Sequence, residues 1–232
     1  MKRNVSLDEI SDGRLLGPED MAKLGSGDCA GCSACCRNMG RSVILDPMDI
    51  FRLTKALKLS FEQLLTDKIE LNIVDGIILP NLKMQETTGA CGFLSTDGRC
   101  SIHQDRPGVC RLFPLGRYYE GKSFKYFLQI HECKKENRTK IKVKKWVDTP
   151  NQKTYDQYIC DWHYFLMDLE KLIQMSGNEE LMKKTDMFVL ELFYLTPYDP
   201  MEDFYEQFYK RLITGKRFKD SISPETIQGD PD

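Results

Sequence analysis

The sequence lacks the features of membrane, secreted and nucleic-acid-binding proteins. No stretch approaches the ~20 apolar residues that a bilayer-spanning helix needs, and the N-terminus turns acidic at Asp8 and Glu9, where a secretory signal would be apolar. The formal net charge of -2 gives no general attraction to nucleic acid or to anionic membranes. We therefore expect a cytoplasmic protein that has neither a membrane nor a nucleic acid as partner.

Recognisable catalytic patterns are also missing. The chain of 232 residues has 3 histidines and shows no serine–histidine–aspartate arrangement or paired-carboxylate pattern. Its hydrophobic fraction of 41% and charged fraction of 29% are typical of a globular domain, without internal repeats or low-complexity segments. The sequence therefore leaves open whether the protein is an enzyme.

Cysteine, in contrast, is abundant, with 9 in the chain. Four of them fall within eight residues, at Cys29, Cys32, Cys35 and Cys36. Thiols stay reduced in the cytoplasm, so this density indicates metal binding rather than disulfides. Cysteines separated by two residues can clasp one zinc ion through bonds of about 2.3 Å, and the same spacing holds three corners of an iron–sulfur cluster. Adjacent side chains usually diverge, so we expect different roles for Cys35 and Cys36.

Downstream cysteines enlarge the candidate site. Eight sulfurs could form two four-cysteine sites, one cluster and one zinc site, or a single site with the remaining cysteines in structural roles. Tetrahedral sulfur sites bind either zinc or iron. The run of three cysteines at two-residue intervals, Cys29, Cys32 and Cys35, slightly favours a [4Fe-4S] cluster at one of the sites. Cys160 lies within a predicted helix and is expected in the core, and His103 and His131 are less favoured ligands. The predicted metal ligands are Cys29, Cys32, Cys35, Cys36, Cys91, Cys100, Cys110 and Cys133.

The remaining pattern predicts an α+β fold, with a small cysteine-rich metal-binding core of short helices and hairpins followed by a C-terminal helical part. Helices are expected to begin at the capping residues Asp46 and Ser60. Turns at Asp75-Gly76 and at Glu120 to Lys122 predict hairpins over residues 69–84 and 115–130. The predicted organisation is a polar lead-in (1–28), a cysteine-rich domain (29–150), a helical part (151–220) and a tail (221–232).

The second half of the chain carries a basic segment and an aromatic stripe. The alternation over residues 140–144 favours an exposed, lysine-guarded edge strand over a patch for nucleic acid or an acidic partner. Helices are expected from Thr154 to near Gly177, over residues 178–195, and from a cap at Asp199-Pro200 to about Gly215. Aromatic residues of the last helices favour core packing, but they also allow a protein partner at these helices. These residues are Tyr194, Tyr198, Phe204, Tyr205, Phe208 and Tyr209.

Two separated cysteine motifs carry a family resemblance. The first is Cys29-x-x-Cys32-x-x-Cys35-Cys36, and the second runs from Cys91-Gly92-Phe93-Leu94 through Gly98-Arg99-Cys100 to Cys110-Arg111-Leu112-Phe113-Pro114. Together they resemble the CxxCxxCC-type zinc- or iron-chelating domain, a widespread bacterial cysteine-cluster family. The resemblance covers roughly residues 29–133. The family pattern usually has tyrosine where this chain has His103.

The resemblance implies chelation of zinc or iron, and a similar cysteine arrangement occurs in flagellin lysine-N-methylases. The leading hypothesis is therefore a metal-binding cysteine-cluster protein with multi-thiolate coordination. The alternative is an iron–sulfur-dependent enzyme that acts on a protein substrate. The chain shows no glycine-rich nucleotide loop, which counts against a methylase role.

Overall fold

A computed structural model of the chain describes residues 6–25 and 32–223. Helices and small antiparallel sheets combine in an α+β fold that ends in a helical part, as the sequence predicts. The helices are α1 (Leu7–Ile10), α2 (Pro47–Leu57), α3 (Phe61–Asp67), α4 (Gly108–Leu112), α5 (Val143–Val147), α6 (Gln152–Ser176), α7 (Glu179–Leu190) and α8 (Phe204–Ser221). The strands are β1 (Met21–Gly25), β2 (Ile69–Val74), β3 (Ile77–Leu82), β4 (Leu115–Glu120), β5 (Ser123–Leu128) and β6 (Thr139–Lys142).

Helices α2 and α3 begin where the sequence predicts, each with a capping box. The Asp46 side chain accepts a hydrogen bond from the Asp49 N–H, and the Asp49 side chain accepts one from the Asp46 N–H. Ser60 and Gln63 make the same reciprocal pair at the start of α3. These bonds satisfy backbone donors that the first helical turn leaves without partners.

The two predicted hairpins are confirmed. Strands β2 and β3 pair in register from Ile69 with Leu82 to Val74 with Ile77, and the turn is Asp75-Gly76. Strands β4 and β5 pair from Leu115 with Leu128 to Glu120 with Ser123. In the second hairpin Gly121 takes the positive φ of 61° that the tight turn requires.

A third small sheet joins distant parts of the chain and corrects the prediction for the basic segment. Strand β6 pairs with β1, which lies within the expected lead-in. The strand ends at Lys142, and α5 begins at Val143, which is fully buried. Prediction of a strand through Lys144 was therefore wrong, because Val143 turns inward and starts a helix. Lys142 and Lys144 both pair with Glu19, at 2.9 and 2.5 Å.

The C-terminal helices enclose an aromatic core. Helix α6 ends at Gly177, as predicted, and α7 continues into a π-helical turn over Glu191–Leu195. The cap of the last helix is Asp203, whose side chain accepts from the Glu206 N–H, so the prediction of Asp199-Pro200 was wrong. Asp199 instead accepts from the Met201 N–H in the preceding turn.

The last helix also continues past Gly215, where the sequence predicts its end. A Cβ at Gly215 would lie 2.8 Å from Cζ of Phe165, so this glycine permits close packing inside the helix rather than ending it. Tyr194, Phe204 and Phe208 of the aromatic stripe are buried. The stripe thus packs in the core, and a protein partner at these helices stays a prediction. Within residues 6–25 and 32–223, no helix is long and apolar enough to cross a membrane.

Candidate metal centre

Every predicted metal ligand that the structure describes lines one cavity of about 790 Å³. Cys29 lies outside the described residues. The cysteines come from separate stretches of the chain, so the tertiary fold is what brings their sulfurs together. The cavity is lined by Cys32, Cys35, Cys36, Cys91, Cys100, Cys110 and Cys133.

Backbone pairing fixes the N-terminal cysteine motif against the stretch around Cys91. Cys35 and Cys36 lie on a short 3-10 helix, Ala34–Cys36. The Cys91 N–H donates to the Cys36 carbonyl at 2.8 Å, and the Asn38 N–H donates to the Gly89 carbonyl at 2.7 Å. These bonds place the Cys36 and Cys91 backbones side by side at the cavity wall.

A tight turn brings Cys100 back towards the stretch that carries Cys91. Leu94 and Cys100 form an antiparallel bridge, and the Ser101 N–H donates to the Phe93 carbonyl at 2.8 Å. Gly98 has the positive φ of 76° that this reversal requires.

Cys110 lies on the short helix α4, and the adjacent Arg111 anchors that helix. Arg111 is 8% exposed, and its guanidinium donates to the carbonyls of Arg106 and Asp148, each at 3.1 Å, and to that of Gln104. A guanidinium offers five N–H donors in a rigid fork, which suits several carbonyls at once. Arg111 therefore ties the loop before α4 to the end of α5.

Electrostatics distinguish Cys35 from its neighbours. A hydrogen bond from the Cys36 thiol lowers the pKa of Cys35 to about 7, and the positive charge of Arg106 adds to this effect. The same contact and burial raise the pKa of Cys36. The two adjacent thiols thus differ in pKa, and different roles for Cys35 and Cys36 stay a prediction.

Burial favours the protonated form of three other thiols that line the cavity. Desolvation raises the pKa of Cys91, Cys100 and Cys110, and each of these three thiols also feels the charge of other cysteines in the cavity. A thiolate is the form that binds a metal. Of these cavity thiols, Cys35 is therefore the one that most readily binds a metal at neutral pH.

The chemistry of the lining fits a thiophilic metal, whereas the thiols do not form a closed cage. Among the described residues, no three histidine, cysteine, aspartate or glutamate side chains stand close enough to hold one ion. All eight described cysteines are free thiols. Soft sulfur donors in this number select zinc, copper(I) or iron–sulfur clusters over oxygen-preferring cations.

More cations than carboxylates line the cavity, and these cations would offset part of the charge that thiolates carry. The cations are Arg99, Arg106, Lys134, Lys135 and Lys145, and the carboxylates are those of Glu132 and Asp148. Arg106 also contacts the His103 ring, with Nη1 at 2.8 Å from Nε2. Nη1 also lies 3.0 Å from Nδ1, so both ring nitrogens of His103 already contact this cation at the cavity wall.

The other residues weighed as ligands lie elsewhere. His131 is exposed and does not line the cavity within the described part of the chain. Cys160 is 6% exposed and lies in α6, away from the cavity lining, so the prediction of a core cysteine is confirmed. Sequence reasoning missed Asp49, a buried carboxylate that contacts the backbone of α4. Its position in a capping box gave no signal of that contact.

Comparison with known proteins adds one finding. A family model described as "CxxCxxCC: Putative zinc- or iron-chelating domain" matches residues 28–140. The matched region includes every cysteine that lines the cavity. No curated protein and no solved structure matches the chain.

Proposed function

Because residues 28–140 match the CxxCxxCC family model of zinc- or iron-chelating domains, we propose that the cavity binds zinc or iron through cysteine thiolates. The observation that supports this most is the convergence of seven cysteines from distant stretches on one cavity. Buried free cysteine often behaves as a small hydrophobe. Packing alone would not gather this many sulfurs around an open space.

The ligands divide into an inner and an outer group. Cys35, Cys36, Cys91, Cys100 and Cys110 influence one another's charge, which supports a shared inner site. Cys32 and Cys133 line the same cavity, and we assign them to an outer group, while Cys29 stays a predicted ligand. Zinc bound in the cavity would supply a structural cross-link, and an iron–sulfur cluster in the cavity would supply electron transfer.

Cys35 provides the starting point for binding. Its pKa of about 7 gives a substantial thiolate fraction at neutral pH. The remaining inner thiols must lose protons as they bind, because burial raises the pKa of Cys91, Cys100 and Cys110. Metal affinity should therefore fall as the pH falls, since protons compete with the metal for sulfur.

Purification without oxygen, followed by metal quantification and a visible absorption spectrum, tests the proposal. Zinc gives a colourless protein with stoichiometric metal, whereas an iron–sulfur cluster gives a brown protein with charge-transfer absorption. A folded, colourless protein that contains neither zinc nor iron and takes up neither would refute the proposal.

The Cys32→Ala variant tests the ligand assignment. We expect loss of metal and a lower melting temperature, because a metal held by one thiolate fewer binds more weakly and stabilises the folded state less. Cys160→Ala is the matched control, since it removes a buried thiol that does not line the cavity. Full metal content and an unchanged melting temperature in Cys32→Ala would show that Cys32 is not a ligand.

A second candidate function is an iron–sulfur-dependent enzyme that acts on a protein substrate. The volume of about 790 Å³ favours it, because small-molecule sites typically occupy about 300–1,000 Å³ and one ion needs far less. Added S-adenosylmethionine should then change the spectrum of the iron-loaded protein. An unchanged spectrum and no binding by calorimetry would leave chelation as the better account.

A further inference from the structure

Asp49 has a contact that helix capping does not explain. The residue is 2% exposed. Its Oδ2 accepts from the Asp46 N–H at 3.1 Å and completes the capping box of α2. Its Oδ1 accepts from the Gly108 N–H at 2.7 Å, a residue 59 positions further along the chain. One carboxylate therefore joins the start of α2 to the start of α4.

The second capping box in the same protein shows what capping alone requires. At the start of α3 the reciprocal partner is Gln63, a neutral side chain in an exposed setting. A buried carboxylate is costly unless hydrogen bonds compensate it. Asp49 differs from Gln63 in being buried and acidic and in its bond to Gly108, and that bond offsets part of the cost of burying the carboxyl group.

Gly108 is held from both sides. It is the first residue of α4, and Cys110 follows two residues later. A Cβ at position 108 would lie 2.4 Å from the Tyr155 hydroxyl oxygen, so the backbone here fits between Asp49 and α6 without room for a side chain. The hydrogen bond and this close approach together fix where α4 starts.

We propose that Asp49 is a positioning residue that holds Cys110 at the cavity through the Gly108 N–H. The metal-dependent part of this inference rests on the proposed function. Hydrogen-bonded groups outside the ligand shell typically change metal affinity by about 10–100-fold when they are removed. Asp49 acts on the ligand's backbone, so Asp49→Ala should produce a loss at the lower end of that range.

A measurement on the metal-free protein tests the positioning directly. Alkylation of each cysteine under native conditions is followed by peptide mass spectrometry in wild type, Asp49→Ala and Asp49→Asn. We expect Cys110 to react several-fold faster in Asp49→Ala, with Cys160 unchanged as the internal sign that the fold persists. Asp49→Asn keeps an acceptor for Gly108 and should restore a rate near that of wild type.

The matched control is Ser60→Ala, which damages the other capping box and has no contact with α4. It should leave the Cys110 rate unchanged. Equal Cys110 rates in wild type and Asp49→Ala would overturn the proposal, and so would an equal acceleration in Ser60→Ala. If Asp49→Ala does not fold, Asp49→Asn and hydrogen exchange at the Gly108 amide decide the question, because Gly108 must be protected wherever the acceptor is kept.

A cobalt(II) titration tests whether Asp49 affects metal binding through Cys110. Asp49→Ala should weaken cobalt binding by about 10-fold in the wild-type background and cause no further loss in a Cys110→Ser background. Equal losses in both backgrounds would mean that Asp49 supports the fold in general and does not act through Cys110. If wild type binds no cobalt, zinc or iron, the proposed function fails, while the alkylation rates still decide whether Asp49 positions Cys110.

Discussion

The C-terminal helices and the cysteine-bearing stretches are built on different physical principles. In the helical part, aromatic rings pack against one another, as Phe208 does against Tyr158 with centroids 4.6 Å apart. The strands of the cysteine-bearing part form two-stranded sheets, and an isolated two-stranded hairpin is at best marginally stable. Buried apolar residues run through both parts, and we expect the metal of the proposed function to stabilise the thiol-lined region more than the aromatic helices.

The largest expected effect is a loss of apolar packing in the helical part. Phe208 is fully buried, and its ring contacts those of Tyr158 and Phe193. Phe208→Ala should lower the free energy of unfolding by about 3–5 kcal/mol, since it removes a large side chain and leaves a cavity. Denaturant unfolding of the metal-free protein measures the change.

Met201, which is 90% exposed, provides the control. Met201→Ala should change the unfolding free energy by no more than about 0.5 kcal/mol. The contrast between the regions would break down if folded Phe208→Ala protein lost its metal, because the helical core would then be part of the metal site.

Metal binding should stabilise mainly the cysteine-bearing region. At free metal of about 100 times the dissociation constant, binding to the folded state alone stabilises it by about 2.7 kcal/mol. We expect chelation to accelerate amide hydrogen exchange in α4 and around Cys91 and Cys100, and to leave α6 and α8 nearly unchanged. An equal acceleration in the aromatic helices would contradict the comparison, since the two regions would then unfold as one unit.

Local chemistry explains the parts of the fold that the sequence predicts well. The caps at Asp46 and Ser60 satisfy nearby backbone donors, and Asp75-Gly76 sets the register of its own hairpin. The pairing of β1 with β6 joins residues that lie far apart in the chain. No local pattern specifies such a pairing, and the strand prediction for the basic segment accordingly ended in the wrong place.

The candidate site shows the same division. The abundance of cysteine predicts a shared site, and every predicted ligand that the structure describes lines one cavity. The backbone pairing of Cys36 with Cys91 and the bond from Gly108 to Asp49 depend on the tertiary arrangement. The sequence predicts Asp46 as the cap of α2 and gives no role to Asp49, whose contact with α4 becomes visible when the two helices are seen side by side.

A histidine at the junction of the two regions gives the smallest expected effect. His163 of α6 stacks on Tyr119 of β4 with ring centroids 3.6 Å apart. Burial, together with the positive charge of Arg117, lowers the pKa of His163 to about 4 from an ordinary value of 6.5. Between these values the unfolded chain binds a proton that the folded chain excludes, so unfolding becomes easier as the pH falls from 6.5 towards 4.

NMR titration of the His163 ring measures the pKa, and unfolding of His163→Phe tests its consequence. The phenylalanine keeps an aromatic ring against Tyr119 and cannot be protonated, so the variant should lose part of the stability change between pH 6.5 and 4. The effect is small because solvent screens a half-buried ring. A His163 that titrates near 6.5 in the folded protein would show that the ring is solvated and that the two regions do not exclude water where α6 meets β4.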